Sequence, residues 1–214
     1  MRIYLRTTPN DVIVPFDYQQ KIVGTIHKWL GNNEIHDKIS LYSFSWLLGG
    51  NMIVDKGYNF SKGATLFISF YENKYLKVLI DTILSDPKMF CGLSVKEVTF
   101  EREPAFTEEP AFFRLATPIF IKRLIENGKK EQKFYFYDDR ESNDLMTETL
   151  KHKMREAGLP DDDTLKVEFD LSYMNKKKKL VTIHGIKNKA SMCPVIIHGR
   201  PESKLFAWTV GALL

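Results

Sequence analysis

The residues of this chain best suited to acid–base chemistry are gathered near its start. His27 ends the run Gly24-Thr25-Ile26-His27, and His36 and Lys38 follow in Ile35-His36-Asp37-Lys38-Ile39. Only five histidines occur in 214 residues, and these two are nine positions apart. An imidazole exchanges a proton near neutral pH, and a neighbouring ammonium stabilises negative charge developing on a phosphate. Such groups are equipped for metal-free RNA cleavage, in which a ribose 2′-hydroxyl attacks the adjacent phosphorus. One imidazole would take the 2′-proton while the other protonates the leaving 5′-oxygen, so the pair needs opposite protonation states at the working pH. Plainer readings exist for each. His27 suits a helix C-terminus by the dipole, His36 sits beside Glu34 and Asp37 in a polar loop, and Lys38 would guard a strand edge.

The other histidines read differently. His184 and His198 lie in extended apolar runs and suit structural roles, and His152 stands between Lys151 and Lys153 on a polar helical stretch. No histidine, cysteine or carboxylate spacing matches a metal site, and no glycine-rich phosphate loop is present. Cys91 and Cys193 make neither a disulfide framework nor a zinc site and are expected as small apolar residues of a reducing cytoplasm. No apolar run approaches the roughly 20 residues of a membrane span, and the alternating start Met1–Arg6 meets Pro9 too early for a signal peptide.

Net charge is +4, yet residues 171–214 carry eight basic side chains against one acid, Glu202. An uneven basic end points to an anionic polymer. The contacts are expected from Lys176, Lys177, Lys178, Lys179, Lys187, Lys189 and Arg200. Four consecutive lysines cannot be folded inside, because each buried ammonium is costly, so they are read as a hairpin tip. Tyr135, Tyr137 and Tyr173 are candidates to stack bases, although strand aromatics more often belong to a core.

Elements that would position these groups follow from periodicity. Met1–Thr7 alternates as a half-buried strand. Asp17 is expected to cap a helix running to Leu30 with Ile22, Ile26, Trp29 and Leu30 on its apolar side. Ser40–Leu48 and Ala64–Tyr71 read as strands, Asn73 as the cap of a helix to Leu84, and Leu93–Arg102 as a closing strand. The order β-α-β-β-α-β is the ferredoxin-like unit. Residues 104–110, with two prolines and glutamates, read as a linker between domains at 1–103 and 111–214. The second set holds strands at Phe112–Ala116 and Lys133–Tyr137 and a helix capped by Asp138 or Asp139 and ending near Glu156. Lys166–Tyr173 and Leu180–His184 are expected to pair around the lysine tip, and Pro201 to open a last helix. The fold class is α+β, two tandem ferredoxin-like domains, the second without its closing strand.

With these segments in order, the chain resembles the CRISPR-associated endoribonucleases that process repeat RNA, of the repeat-associated RNA-binding superfamily. Four stretches carry the resemblance. They are Met1-Arg2-Ile3-Tyr4-Leu5 leading into the helix with Gln20–His27, then His36-Asp37-Lys38-Ile39-Ser40-Leu41, then Leu115-Ala116-Thr117-Pro118-Ile119, and last Phe206–Leu214. The family's Gly-Phe-Gly-ended loop is not in the sequence, which stops where it would begin. The resemblance implies cleavage of a CRISPR precursor transcript within each repeat, without metal or other cofactor, leaving a 2′,3′-cyclic phosphate and a 5′-hydroxyl. His36 matches the family's usual catalytic histidine and Lys38 a basic residue near the scissile phosphate. His27 falls where other members carry a tyrosine or second histidine. The implied partners are CRISPR repeat RNA and a CRISPR effector complex, with the chain a monomer or homodimer. The competing expectations are a non-catalytic RNA-binding subunit of the same fold and a tandem ferredoxin-like regulator binding a small molecule in an apolar pocket.

Overall fold

The structure, a computed structural model, describes residues 1–31, 41–126, 130–183 and 185–211. The chain divides into two compact units, Met1–Glu103 with Ile183–Gly185, and Pro104–Thr182 with Ile186–Leu214.

In the first unit, β1 (Arg2–Thr7), β2 (Tyr42–Phe44), β5 (Thr65–Phe70) and β6 (Val95–Glu101) form an antiparallel sheet in the order β2-β5-β1-β6. A short hairpin, β3 (Asn51–Ile53) and β4 (Gly57–Asn59), is inserted before β5. The alternation in β1 and β5 buries Ile3, Leu5, Leu66 and Ile68 on one side. Against them pack α1 (Gln19–Leu30), through Ile22, Ile26 and Trp29, and α2 (Asn73–Ser85), through Leu76, Leu79 and Ile83. The i, i+4, i+7 spacing of the α1 residues keeps them on one stripe. Trp29 Nε1 donates to the Asp86 carbonyl at 2.9 Å, which satisfies the indole inside that contact.

The second unit repeats the plan. Its elements are β7 (Ala111–Phe113), the β8–β9 hairpin (Ile121–Glu126 and Lys130–Tyr135), α3 (Ser142–Glu156) and β10 (Lys166–Phe169). The β11–β12 hairpin (Lys177–Ile183 and Ile186–Met192), β13 (Val195–His198) and α4 (Pro201–Val210) follow. The sheet runs β10-β13-β7, and among the described residues no strand occupies the outer edge of β7. Val167, Phe169, Val195 and Ile197 face inward, with Met146, Leu150 and Met154 of α3 and Phe206, Ala207 and Val210 of α4 also buried.

Several local expectations are corrected. Tyr18, Glu72 and Glu141 occupy the N-cap positions of α1, α2 and α3, none with a side-chain capping bond. Asp17, Asn73 and Asp138 therefore do not cap. Asp139 instead accepts the Phe136 N–H at 2.6 Å, one turn before the helix. The Ser40–Leu48 run is a strand only over Tyr42–Phe44, with an isolated bridge from Leu48 to Thr65. Lys176–Lys179 is not a hairpin tip. β10 pairs with β13, β11 pairs with β12 around Gly185, and Lys177, Lys178 and Lys179 lie within β11. Register decides this, because β13 offers β10 a fully apolar inner face that β11 lacks.

Buried charge anchors α4. The Asp162 carboxylate, 1% exposed, accepts the Arg200 backbone N–H at 2.9 Å and the Ser203 hydroxyl at 2.6 Å at the start of the helix. Its other oxygen accepts the Thr164 N–H at 3.0 Å and hydroxyl at 2.6 Å. Burial by itself would raise this carboxyl. The bonds from Ser203, Thr164 and Arg200 outweigh it and hold the group well below the usual range. Lys204, wholly buried, donates to the Thr107 carbonyl at 2.6 Å and the Glu109 carbonyl at 2.8 Å, tying residues 104–110 to α4. At the far end, Lys153 donates to the Gly211 carbonyl at 3.1 Å, and burial brings its ammonium down to about 8.

Asp162→Asn is expected to lower the unfolding free energy by about 2 kcal/mol at pH 7, the scale of hydrogen bonds to a charged group. Because the folded carboxyl titrates below the unfolded one, its stabilisation is present above about pH 4 and fades as pH falls toward the lower folded value. Urea unfolding at pH 7 and pH 3 checks this, with a smaller loss on acidification in the variant than in the wild type.

Candidate nucleic-acid interface

His27 lies in the last turn of α1, half-buried, and its carbonyl accepts the Gly31 N–H at 3.0 Å. The adjacent Lys28 projects outward, with Nζ 2.9 Å from Asp86 Oδ2, and so is committed to an ion pair. His36 and Lys38 fall within residues 32–40, outside the described residues, as does His184. His198, expected as structural, sits on β13 with Nε2 2.9 Å from Glu168 Oε1. Among the described residues no cluster of three or more histidine, cysteine, aspartate or glutamate side chains is arranged to hold a metal ion.

The basic residues expected to meet RNA concentrate on the β11–β12 hairpin. Strand alternation divides them. Lys177 and Lys179 project from one face of β11 and Lys178 from the other, while Lys187 and Lys189 share one face of β12, both exposed. Between them Asn188 is buried, its side-chain amide donating to the Ile186 carbonyl at 2.9 Å. On β11, burial lowers the Lys179 ammonium, and the neighbouring charge of Lys177 adds to the effect.

Lys178 is held differently. Its Nζ is 2.9 Å from Asp138 Oδ2 and 4.4 Å from the centre of the Phe136 ring. The hydrogen bond to Asp138 raises the Lys178 ammonium and lowers the Asp138 carboxyl. Asp138 is a partner that sequence reasoning misses, because an acid at that position equally suits a helix cap. The signal present is an acid following the aromatic run Phe134–Tyr137. Lys176 precedes β11 and donates to the Leu171 carbonyl at 2.8 Å, which fixes the approach to the strand. Arg200 is exposed, with its guanidinium 3.8 Å from Asp162 Oδ1, so it serves the α4 anchor as well as offering charge outward.

The β8–β9 hairpin adds cations that the sequence reading leaves out. Lys122 Nζ lies 5.9 Å from the Phe120 ring and Lys133 Nζ 4.4 Å from the Tyr135 ring. A backbone bridge between Ile119 and Ser191 sets this hairpin beside β12. Tyr137, a stacking candidate, is half-buried edge-on to Phe169 at 6.5 Å and serves the core more than a ligand. Tyr173 is exposed. No helix among the described residues is long and apolar enough to cross a membrane.

The arrangement is thus two ferredoxin-like units, the second carrying lysines on both strands of the β11–β12 hairpin. No curated protein matches the chain. Solved structures do. The fold is similar to that of a CRISPR associated protein Cas6, with a TM-score of 0.80 at 19% identity over 99% of this chain and 92% of that chain. It is similar to the product of a Cas6-related gene from Pyrococcus furiosus, with a TM-score of 0.83 at 18% identity over 99% and 92%. A RAMP protein binding different RNA substrates matches with a TM-score of 0.79 at 18% identity over 99% and 93%. The family model for the C-terminal part of CRISPR associated protein Cas6 matches residues 101–212. With more than half of its length so matched, the chain belongs to the Cas6 family of CRISPR-associated proteins.

Proposed function

We propose that this chain is a metal-independent endoribonuclease that cuts CRISPR precursor transcripts within their repeats. Membership of the Cas6 family is the observation that carries the reading, and the lysine-bearing β11–β12 hairpin gives it a surface for an RNA backbone. The 2′-hydroxyl of the nucleotide before the cut attacks phosphorus. The 2′-O–P bond forms, the P–O5′ bond breaks, and no water is consumed. A proton leaves the 2′-oxygen and another joins the 5′-oxygen, giving a 2′,3′-cyclic phosphate and a 5′-hydroxyl. His36 and His27 are assigned this proton traffic, and Lys38 the charge on the pentavalent phosphorus. Lys176–Lys179, Lys187, Lys189 and Arg200 are assigned to phosphate contact, which positions the strand without reading its sequence. The partner is CRISPR repeat RNA.

A non-catalytic RNA-binding role of the same fold is the second reading. It is supported by the similarity of the fold to a RAMP protein binding different RNA substrates.

Cleavage of a labelled cognate repeat RNA in EDTA separates the two. One cut with a cyclic-phosphate end is expected, blocked by a 2′-deoxy substitution at the scissile nucleotide. His36→Ala should slow it on the order of 10²-fold or more. Tight binding without cutting by the wild type would instead establish the binding role.

Replacing Lys177, Lys179, Lys187 and Lys189 by alanine should weaken binding of all RNA sequences alike. The slope of log affinity against log salt should become shallower by roughly 0.7–1 per lysine that meets a phosphate. Filter binding across a salt series measures it, and an unchanged slope would remove this hairpin from the interface.

A further inference from the structure

The sheet of the second unit has helices on one face only, and its other face carries an aromatic side chain left open to solvent. Phe112, in the middle of β7, is 73% exposed. Its neighbour Phe113 turns the opposite way and stacks on Phe106 at 5.5 Å, so the register of the strand is set by an internal contact. Phe112 pairs with Ile196 on β13, and Ile196 with Glu168 on β10, which forms one row across three strands. Beside that row, His198 pairs with Lys166. The Glu168 carboxylate sits between them, 2.9 Å from His198 Nε2 and 2.5 Å from Lys166 Nζ. Arg114, two residues beyond Phe112, is exposed.

Leaving a phenylalanine in water forgoes about 1.5–3 kcal/mol of burial, and the outer positions of the same sheet are otherwise polar or half-buried. The register sets this ring diagonal to the imidazole that Glu168 contacts, with Arg114 two residues further along the chain and Lys166 on the far strand. Successive bases of single-stranded nucleic acid stack on such rings, and their phosphates seek such cations. Lys166 is partly neutralised by Glu168, so Arg114 is the stronger phosphate partner.

We infer that this open face is a stacking site for an unpaired base of single-stranded RNA, with Phe112 as the platform, Ile196 and His198 as its flank and Arg114 as the phosphate contact. The inference rests on the RNA-processing reading and adds to it a second contact region, separate from the lysine hairpin, that takes unpaired rather than duplex RNA.

Phe112→Trp places a reporter at the site, read against the wild-type signal of the three native tryptophans. Titration with a short single-stranded oligoadenylate should quench the added emission in a saturable way, while duplex RNA of the same length should not. Phe112→Ala should weaken oligoadenylate binding about 5- to 100-fold, the range for loss of one base–aromatic stack. Phe112→Tyr should keep wild-type binding, which mere apolar bulk such as Phe112→Leu should not. Oligoadenylate binding with no change in the emission added by Phe112→Trp would overturn the site and leave the RNA-processing reading standing. Absence of any RNA binding by the wild type, repeat RNA included, would overturn both. Emission that shifts with protein concentration in the absence of RNA would assign Phe112 to a contact between copies of the chain and overturn the site.

Discussion

Both units are built on the same constraint, a sheet whose helices cover only one face. Alternation along a strand then divides the residues between an apolar inner set and a more polar outer set. In the first unit, Ile3 and Leu5 go in while Arg2, Tyr4 and Arg6 go out. Arg2 lies 4.0 Å over the Phe67 ring and pairs with Glu101, so that outer face is largely satisfied by its own residues. In the second unit, Val167, Val195 and Ile197 go in, and Phe112, Glu168 and His198 go out. One-sided burial thus leaves a face on which chemistry can be displayed without disturbing the core.

The main sheet of the second unit has three strands among the described residues against four in the first, and that unit holds its last helix with buried charge. Asp162 at the start of α4 supplies what an N-cap residue would, from a different segment of chain. A carboxylate there also complements the positive end of the helix. Lys204 and Lys153 commit their ammonium groups to backbone carbonyls, at Thr107, Glu109 and Gly211. Removing any one of these partners would strand a buried polar group, which costs more than the bond itself contributes. These groups make the position of α4 specific where apolar packing alone would allow sliding.

Charge on the hairpins has the opposite character. Lys177, Lys187 and Lys189 stand exposed on their strands. They add little to stability, since exposed charges interact weakly through water. Lys178 is the exception, held by Asp138 and Phe136. An RNA backbone meeting this hairpin would find some cations free to move and one already oriented.

Much of this is written in the sequence. The 3.6-residue stripe of α1, the alternation of β1 and β5, the element order of the first unit and the proline opening α4 are local signals, and local physics decides them. The motifs around His27, His36 and Lys38 and the run Leu115–Ile119 carry the family resemblance, because they are short and contiguous. The caps of α1, α2 and α3 escape such reading, because Asp and Asn also favour turns and only the path of the chain decides which use prevails. The lysine run is misplaced for a related reason. Four lysines demand exposure, but exposure is met equally by a tip or by an edge-exposed strand, and the choice fell to β13, which matched β10 better than β11 did. Burial of Lys153, Asp162 and Lys204 leaves no trace in composition, since each depends on a partner 38 to 97 residues away. The exposure of Phe112 is hidden for the same cause. Adjacent phenylalanines must point to opposite sides of a strand, but only the packing of helices against one face determined which of the two would meet solvent.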